Sequence, residues 1–173
     1  YDKKVRTSIK PQYVDKLPGV FKGGVRDLLK NVEGRMSMDD AVALLDLDEA
    51  IGRQMTELSG GELQRVAIAA TIMKDADIYF FDEPSSYLDI YQRLRVARII
   101  EKLAREKQVI VIEHDLAILD FLAENVYLVF GSEGAYGIYS QPRQVRQAIN
   151  VYLDGYAKEE NMRFRDTQIV FES

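Results

Sequence analysis

Three short motifs in this sequence place chemistry-bearing residue types where backbone geometry can use them. Asp82-Glu83 follows the apolar run Ile78-Tyr79-Phe80-Phe81. A pair of acids where a buried strand meets a loop stands on the ligand side of an open parallel sheet. There Asp82 suits the outer shell of Mg²⁺, and Glu83 suits the base that polarises an attacking water. The same pair also reads as a strand ending in two solvated acids. Ser59-Gly60-Gly61-Glu62 precedes a long helical pattern. Serine followed three residues later by glutamate is a capping box. Two glycines at a helix N-terminus also expose N–H groups at the positive end of the macrodipole, which makes an anion site. Both readings can hold together. His114, the sole histidine, follows Glu113 at the end of the run Val109-Ile110-Val111-Ile112. A lone histidine is also commonly structural or simply exposed.

Those motifs need elements to carry them. Residues Thr7 to Val14 read as extended, with Pro11 turning Lys10 away from helix. Val25, Leu28, Leu29 and Val32 form one amphipathic stripe. Ala41, Val42, Leu44 and Leu45 form a second, after Asp39 and Asp40, which suit a helix start. A third helix is predicted from Ser59 to about Met73, apolar on most faces and hence buried. The two apolar runs read as buried parallel strands. The helix between them puts Ile90, Leu94, Ala97, Ile100 and Ala104 on one face, which gives a βαβ unit expected to be right-handed. Leu116 to Leu122 reads as a helix, Val126 to Phe130 as a third strand, and Gly131 to Gly137 as a hairpin-like turn into Tyr139. Arg143 to Ala157 reads as helical and Thr167 to Phe171 as strand-like. Arg143, Arg146, Arg163 and Arg165, interspersed with Tyr152, Tyr156 and Phe164, are either a solvated face over packed aromatics or a phosphate-contacting surface.

Composition narrows the classes. With 173 residues, 47% hydrophobic and 29% charged, the chain is long enough for one domain with a core. A net charge of −5 gives no bulk argument for nucleic acid, although a local basic face remains open. The absence of cysteine excludes disulfides and cysteine-held zinc or iron–sulfur sites in this chain and suits an intracellular setting. One histidine excludes a multi-histidine metal site. No apolar run reaches the ~20 residues of a membrane helix, and nothing resembles a signal peptide. A Gly-x-x-x-x-Gly-Lys-Ser/Thr phosphate loop occurs nowhere in the sequence. The start at Tyr1, with a motif arriving at once, fits an excised fragment.

Taken in order, Lys10-Pro11-Gln12, Leu58-Ser59-Gly60-Gly61-Glu62, Asp82-Glu83-Pro84, Ser85-Ser86-Tyr87-Leu88-Asp89 and Glu113-His114-Asp115 resemble the ATP-binding cassette (ABC) nucleotide-binding domain from its glutamine loop onward. The fuller wording Lys10-Pro11-Gln12-Tyr13-Val14-Asp15, the run from Leu58 to Ala70, and Tyr136-Gly137-Ile138-Tyr139-Ser140-Gln141-Pro142 with Arg163-Phe164-Arg165 narrow the likeness. They resemble the ribosome-recycling ABC ATPase family, also called RNase L inhibitor, over essentially the whole chain. Glu62 replaces the commoner glutamine of the signature.

The resemblance implies an α/β fold: a partial P-loop NTPase core with parallel strands and an inserted helical subdomain, lacking its N-terminal lobe. Its segments would be a glutamine loop (1–15), a helical subdomain with the signature (16–74), an α/β core with the acid pair, the Asp89 loop and the switch histidine (75–140), and a hinge-like end (141–173). Glu83 and His114 are implied as catalytic, and Gln12 and Asp82 as magnesium contacts. Gln12, Ser59, Gly60, Gly61, Glu62, Asp82 and Asp89 are implied as nucleotide contacts, the signature serving an ATP held mainly by the opposite cassette. The parent would be a twin-cassette cytoplasmic ATPase that splits ribosomes into subunits using ATP and Mg²⁺, with iron–sulfur clusters outside this chain. Implied partners are the second cassette, the ribosome, the tail of a ribosomal stalk protein and ribosomal RNA at the hinge-like end, with no membrane. The chain alone is expected not to hydrolyse ATP and to serve as a binding module. The alternative is a piece of an ABC transporter's ATP-binding subunit.

Overall fold

A computed structural model describes residues 4–32, 34–132 and 134–170. The chain packs as two compact units, 1–118 and 119–173, so the division falls inside the expected 75–140 segment.

In the first unit, β1 (Thr7–Lys10), β2 (Ile78–Asp82) and β3 (Gln108–Ile112) form a parallel sheet in that order. The register aligns Ser8 with Tyr79 and Val109, and Lys10 with Phe81 and Val111. Strand period 2 puts these residues on one face. Ser8, Lys10, Tyr79 and Phe81 are all buried there. The other face carries Ile9, Ile110 and Ile112, which are 62%, 40% and 51% exposed. The expectation of buried strands therefore fails for β3. It is an edge strand among the described residues, and no described element covers its outer face.

Between β1 and β2 the chain is helical: a single turn at Val14–Lys16, then α1 (Leu17–Val20), α2 (Val25–Lys30), α3 (Met38–Leu45), another single turn at Met55–Glu57, and α4 (Gly60–Met73). Ser37 caps α3, accepting from Asp40 N. The predicted start and end of α4 agree with the structure, and its apolar residues are largely buried. It packs on β1, where Ser8 Oγ donates to Thr71 O at 2.9 Å.

Helix α5 (Ile90–Ala104) joins β2 to β3 and buries a face that only partly overlaps the predicted one, sharing Ala97 and Ile100 with it. Val96, Ala97, Ile99, Ile100 and Leu103 are inside, whereas Ile90, Leu94 and Ala104 are exposed. The i, i+4 spacing of Ile90 and Leu94 marks an apolar stripe that faces away from the sheet.

Helix α6 (Leu116–Leu122) spans the division between units. Beyond it lie β4 (Asn125–Val126), β5 (Val129–Ser132), β6 (Tyr136–Tyr139), β7 (Arg143–Gln144), α7 (Val145–Asp154), β8 (Tyr156–Ala157) and β9 (Met162–Arg163). The expected strand over 126–130 is instead two short strands. Strand β4 pairs antiparallel with β7, and β5 with β6 as the expected hairpin. The third parallel strand is β1. The predicted helix over 143–157 is shorter, because Gly155 ends it in the left-handed region at φ +71. Residues 167–170 form no strand, and Phe171 lies outside the described residues.

Candidate active-site corner

Strand β2 ends at Asp82, and the next residue breaks from the sheet. Glu83 takes φ +47, a left-handed conformation uncommon for a residue with a Cβ. That turn brings its carboxylate to three donors from different parts of the chain. Gln12 Nε2 donates to Glu83 Oε1 at 2.8 Å, His114 Nε2 lies 3.2 Å from the same oxygen, and Ser86 Oγ donates to Oε2 at 3.1 Å. Gln12 follows β1 and His114 follows β3. The parallel order of the strands thus delivers all three sequence-predicted residues to the carboxyl end of one sheet. Glu113 supports the histidine loop, its Oε1 accepting from His114 N and Asp115 N at 2.9 and 3.1 Å.

Two residues of this corner escaped the sequence reading. Lys10 is fully buried, and its Nζ donates to Asp82 O at 2.6 Å and Glu83 O at 3.2 Å. Burial lowers its pKa to about 8, against the opposing pull of the Asp82, Glu83 and Glu113 carboxylates. Gln64, on the buried side of α4, donates to Glu83 O at 2.7 Å. The available signal was strand alternation: Lys10 shares the inward side of β1 with Ser8.

The signature residues close on themselves. Ser59 caps α4 in a full capping box, accepting from Glu62 N while its own N donates to Glu62 Oε2 at 2.8 Å. The Ser59 N–H is the main cause holding the Glu62 carboxyl below its ordinary pKa, with Arg53 and Arg65 adding to it. Gly60 and Gly61 lie against Tyr87, and a Cβ on either would come within 3.0 Å of it. Asp89 caps α5, accepting from Gln92 N at 2.9 Å. The Asp82 carboxylate has no hydrogen bond or ion pair among the described residues, where no cluster of three or more acids, histidines or cysteines could hold a metal. A free carboxylate at a strand end fits a magnesium ion that takes most of its ligands from phosphate and water.

In the second unit Arg143 departs from both sequence readings. It is only 4% exposed, and its Nη2 is bound to Glu160 at 2.5 Å and Glu159 at 3.0 Å, so it is neither solvated nor open to phosphate. Arg163 and Arg165 lie over the rings of Tyr156 and Tyr152, and Arg146 stays exposed, 3.8 Å from Asp120.

A parallel sheet with an acid pair at one strand end, a capped glycine helix start and a histidine just beyond the neighbouring strand define a nucleotide-binding domain of the ABC class. The sequence model described as ABC transporter matches residues 4–86. The chain is 51% identical over 171 residues to an uncharacterised ABC transporter ATP-binding protein of Methanocaldococcus jannaschii, covering 99% of this chain. It is 45% identical over 171 residues to translation initiation factor RLI1 of Chaetomium thermophilum, covering 96% of this chain. An archaeal ribosome recycling factor, solved in complex with the archaeal ribosomal stalk protein aP1, superposes with a TM-score of 0.90 at 50% identity over 98% of this chain. The chain belongs to the ribosome-recycling, or RNase L inhibitor, family of ABC ATPases. It spans 28% of the length of both curated relatives and 33% of the solved chain.

Proposed function

We propose that this chain is part of the first nucleotide-binding domain of a cytoplasmic twin-cassette ATPase that splits ribosomes into subunits. The convergence of Gln12, His114 and Ser86 on the Glu83 carboxylate carries the reading. Bound Mg–ATP supplies the γ-phosphoryl group that water attacks. Glu83 accepts the proton of that water, Gln12 and His114 hold its Oε1, and Ser86 holds its Oε2. Asp82 and Gln12 serve the magnesium side. Ser59, Gly60, Gly61 and Glu62 present the α4 N-terminus to the nucleotide of the opposite cassette, and Asp89 couples the two sites. The exposed apolar face of the sheet receives the part of the cassette that carries the phosphate loop. Without that loop the chain alone releases no phosphate above background.

In the full-length parent, Glu83→Gln should slow phosphate release by about 10²-fold or more while ATP binding survives. A variant turning over at the wild-type rate would refute the role of Glu83. Gly60→Asp should abolish ATP-driven closure by setting a carboxylate against a phosphate, and normal closure would leave only a helix cap.

A second reading rests on a groove of ≈910 Å³ between α3 and α5, with Leu44, Tyr91 and Leu94 among its apolar residues and Arg95, Arg98 and Lys102 beside them. Its lining is part apolar and net basic, since four cations outnumber Asp40 and Glu106, and that suits an apolar helix bearing acids. We assign it to the tail of a ribosomal stalk protein. Leu94→Glu should abolish binding of a fluorescent stalk-tail peptide to this chain; unchanged affinity would move the dock elsewhere. Ribosomal RNA contact at the hinge-like end rests on the exposed Arg146 and Arg163, since Arg143 is internally paired and Arg165 is half-buried over the Tyr152 ring.

A further inference from the structure

We infer that Lys10 is a positioning residue for hydrolysis, fixing the backbone on which Glu83 stands; this rests on the reading of Glu83 as the base. Both peptide groups flanking the Glu83 Cα are fastened. Its N–H donates to Ile112 O at 2.8 Å. The preceding carbonyl, Asp82 O, accepts from Lys10 Nζ at 2.6 Å. The following one, Glu83 O, accepts from Lys10 Nζ at 3.2 Å and Gln64 Nε2 at 2.7 Å. Four bonds from β1, β3 and α4 therefore fix the two dihedrals of one residue.

That residue needs them. A side-chain-bearing residue at φ +47 is strained and persists where its surroundings over-determine it. A relaxed Glu83 would swing its carboxylate away from Gln12, His114 and Ser86. Lys10 is also a costly way to fill space. Burying an ammonium is unfavourable unless it is fully hydrogen-bonded, and an apolar side chain would suit this inward face of β1 better for stability alone. No carboxylate lies in ion-pair distance of Lys10 among the described residues; its ammonium donates to the two carbonyls that set the direction of Glu83. An ammonium at the end of a long stem carries three N–H donors and here binds both carbonyls at once.

The test is steady-state hydrolysis by the full-length parent protein carrying Lys10→Met, Gln64→Leu and Glu83→Gln, singly and combined. Lys10→Met should lower kcat about ten-fold, the scale of a misplaced catalytic group, with KM for ATP unchanged and no further loss when added to Glu83→Gln. Lys10→Gln, which keeps an N–H donor, should recover part of the rate. Gln64→Leu cuts one bond of the four and should give a smaller loss of the same kind. It keeps the proposal testable should Lys10→Met fail to fold. A kcat unchanged in the folded variants, or losses that multiply with Glu83→Gln, would overturn the positioning role. A Glu83→Gln protein that keeps its full rate would instead bring down the base assignment, in a measurement that does not involve Lys10.

Discussion

The Glu83 corner and the Arg143 cluster are both dense polar networks, but their charges are disposed in opposite ways. At the corner, a neutral amide, a hydroxyl and an imidazole gather round one carboxylate, and the buried Lys10 spends its hydrogen bonds on main-chain carbonyls. Among the described residues no arginine or lysine forms an ion pair with that carboxylate, whose charged-group neighbour is His114. Around Arg143, one buried guanidinium is held between two glutamates and the Gln141 carbonyl, so the cation is tied up inside the network. A network whose acids are spent on a buried cation fixes a fold. One that aims a single acid without an arginine or lysine partner can still act on something else.

That contrast breaks most easily at its second member. Arg143→Met should destabilise the chain by about 3 kcal/mol, because it strands the partly buried Glu160 without its cation, and it should leave ATP turnover by the folded parent unchanged. Glu83→Gln should do the reverse, removing turnover with little change in stability. Urea unfolding and phosphate release measured on both variants would decide. A turnover loss in Arg143→Met would mean that this cluster is more than support.

A pH series gives a smaller effect with a fixed sign. The Arg143 hydrogen bond is the main cause holding Glu160 below its ordinary value of 4.5, with the Gln141 N–H assisting against the cost of burial. A carboxyl depressed in the folded state contributes stability that is fully present above its unfolded pKa and is lost as pH falls through the folded one. The stability gap between wild type and Glu160→Gln should therefore be flat from neutral pH down to about 5 and shrink below that. Denaturant midpoints across the range test it. A gap that persists undiminished into strong acid would rule out the ionised pair as its source.

Much of this contrast was invisible in the sequence, for identifiable reasons. Helix α4 was legible because Ser59 and Glu62 mark its start and a continuous apolar pattern carries it to Met73. Strand β2 was legible as a short apolar run. Strand β1 was read only as extended chain, because Thr7-Ser8-Ile9-Lys10 hides a lysine on its inward side, and a lysine is ordinarily a mark of the outside. For the same reason Lys10 and Gln64 were missed at the corner, while Gln12, Glu83 and His114 came from motif order. The face of α5 was misread because Ile90 and Leu94 have core-like spacing but point outward. Arg143 looked like one of four equivalent arginines, since its glutamate partners follow 16 and 17 residues later, beyond α7.

The smallest effect concerns Ser59, whose polar contacts resemble the Arg143 cluster in miniature. Its hydroxyl accepts from Glu62 N at 3.3 Å and donates to Glu62 Oε2 at 2.9 Å, so both of its roles are already taken up within the first helical turn. Arg53 holds the other oxygen of that glutamate at 2.8 Å, which fixes the far side of the box. A group so closed acts on the helix before it acts on a ligand. Ser59→Ala should cost ~1 kcal/mol of stability, the usual loss for an N-cap hydroxyl. Ser59→Asn should restore most of it, because asparagine caps comparably. In the parent protein both variants should still close with ATP, since the amides that Gly60 and Gly61 supply are untouched. Chemical denaturation of the chain and a closure assay on the parent separate the outcomes. If Ser59→Asn restores stability but closure is still lost, the hydroxyl itself reaches the phosphate, and the helix start belongs with the Glu83 corner.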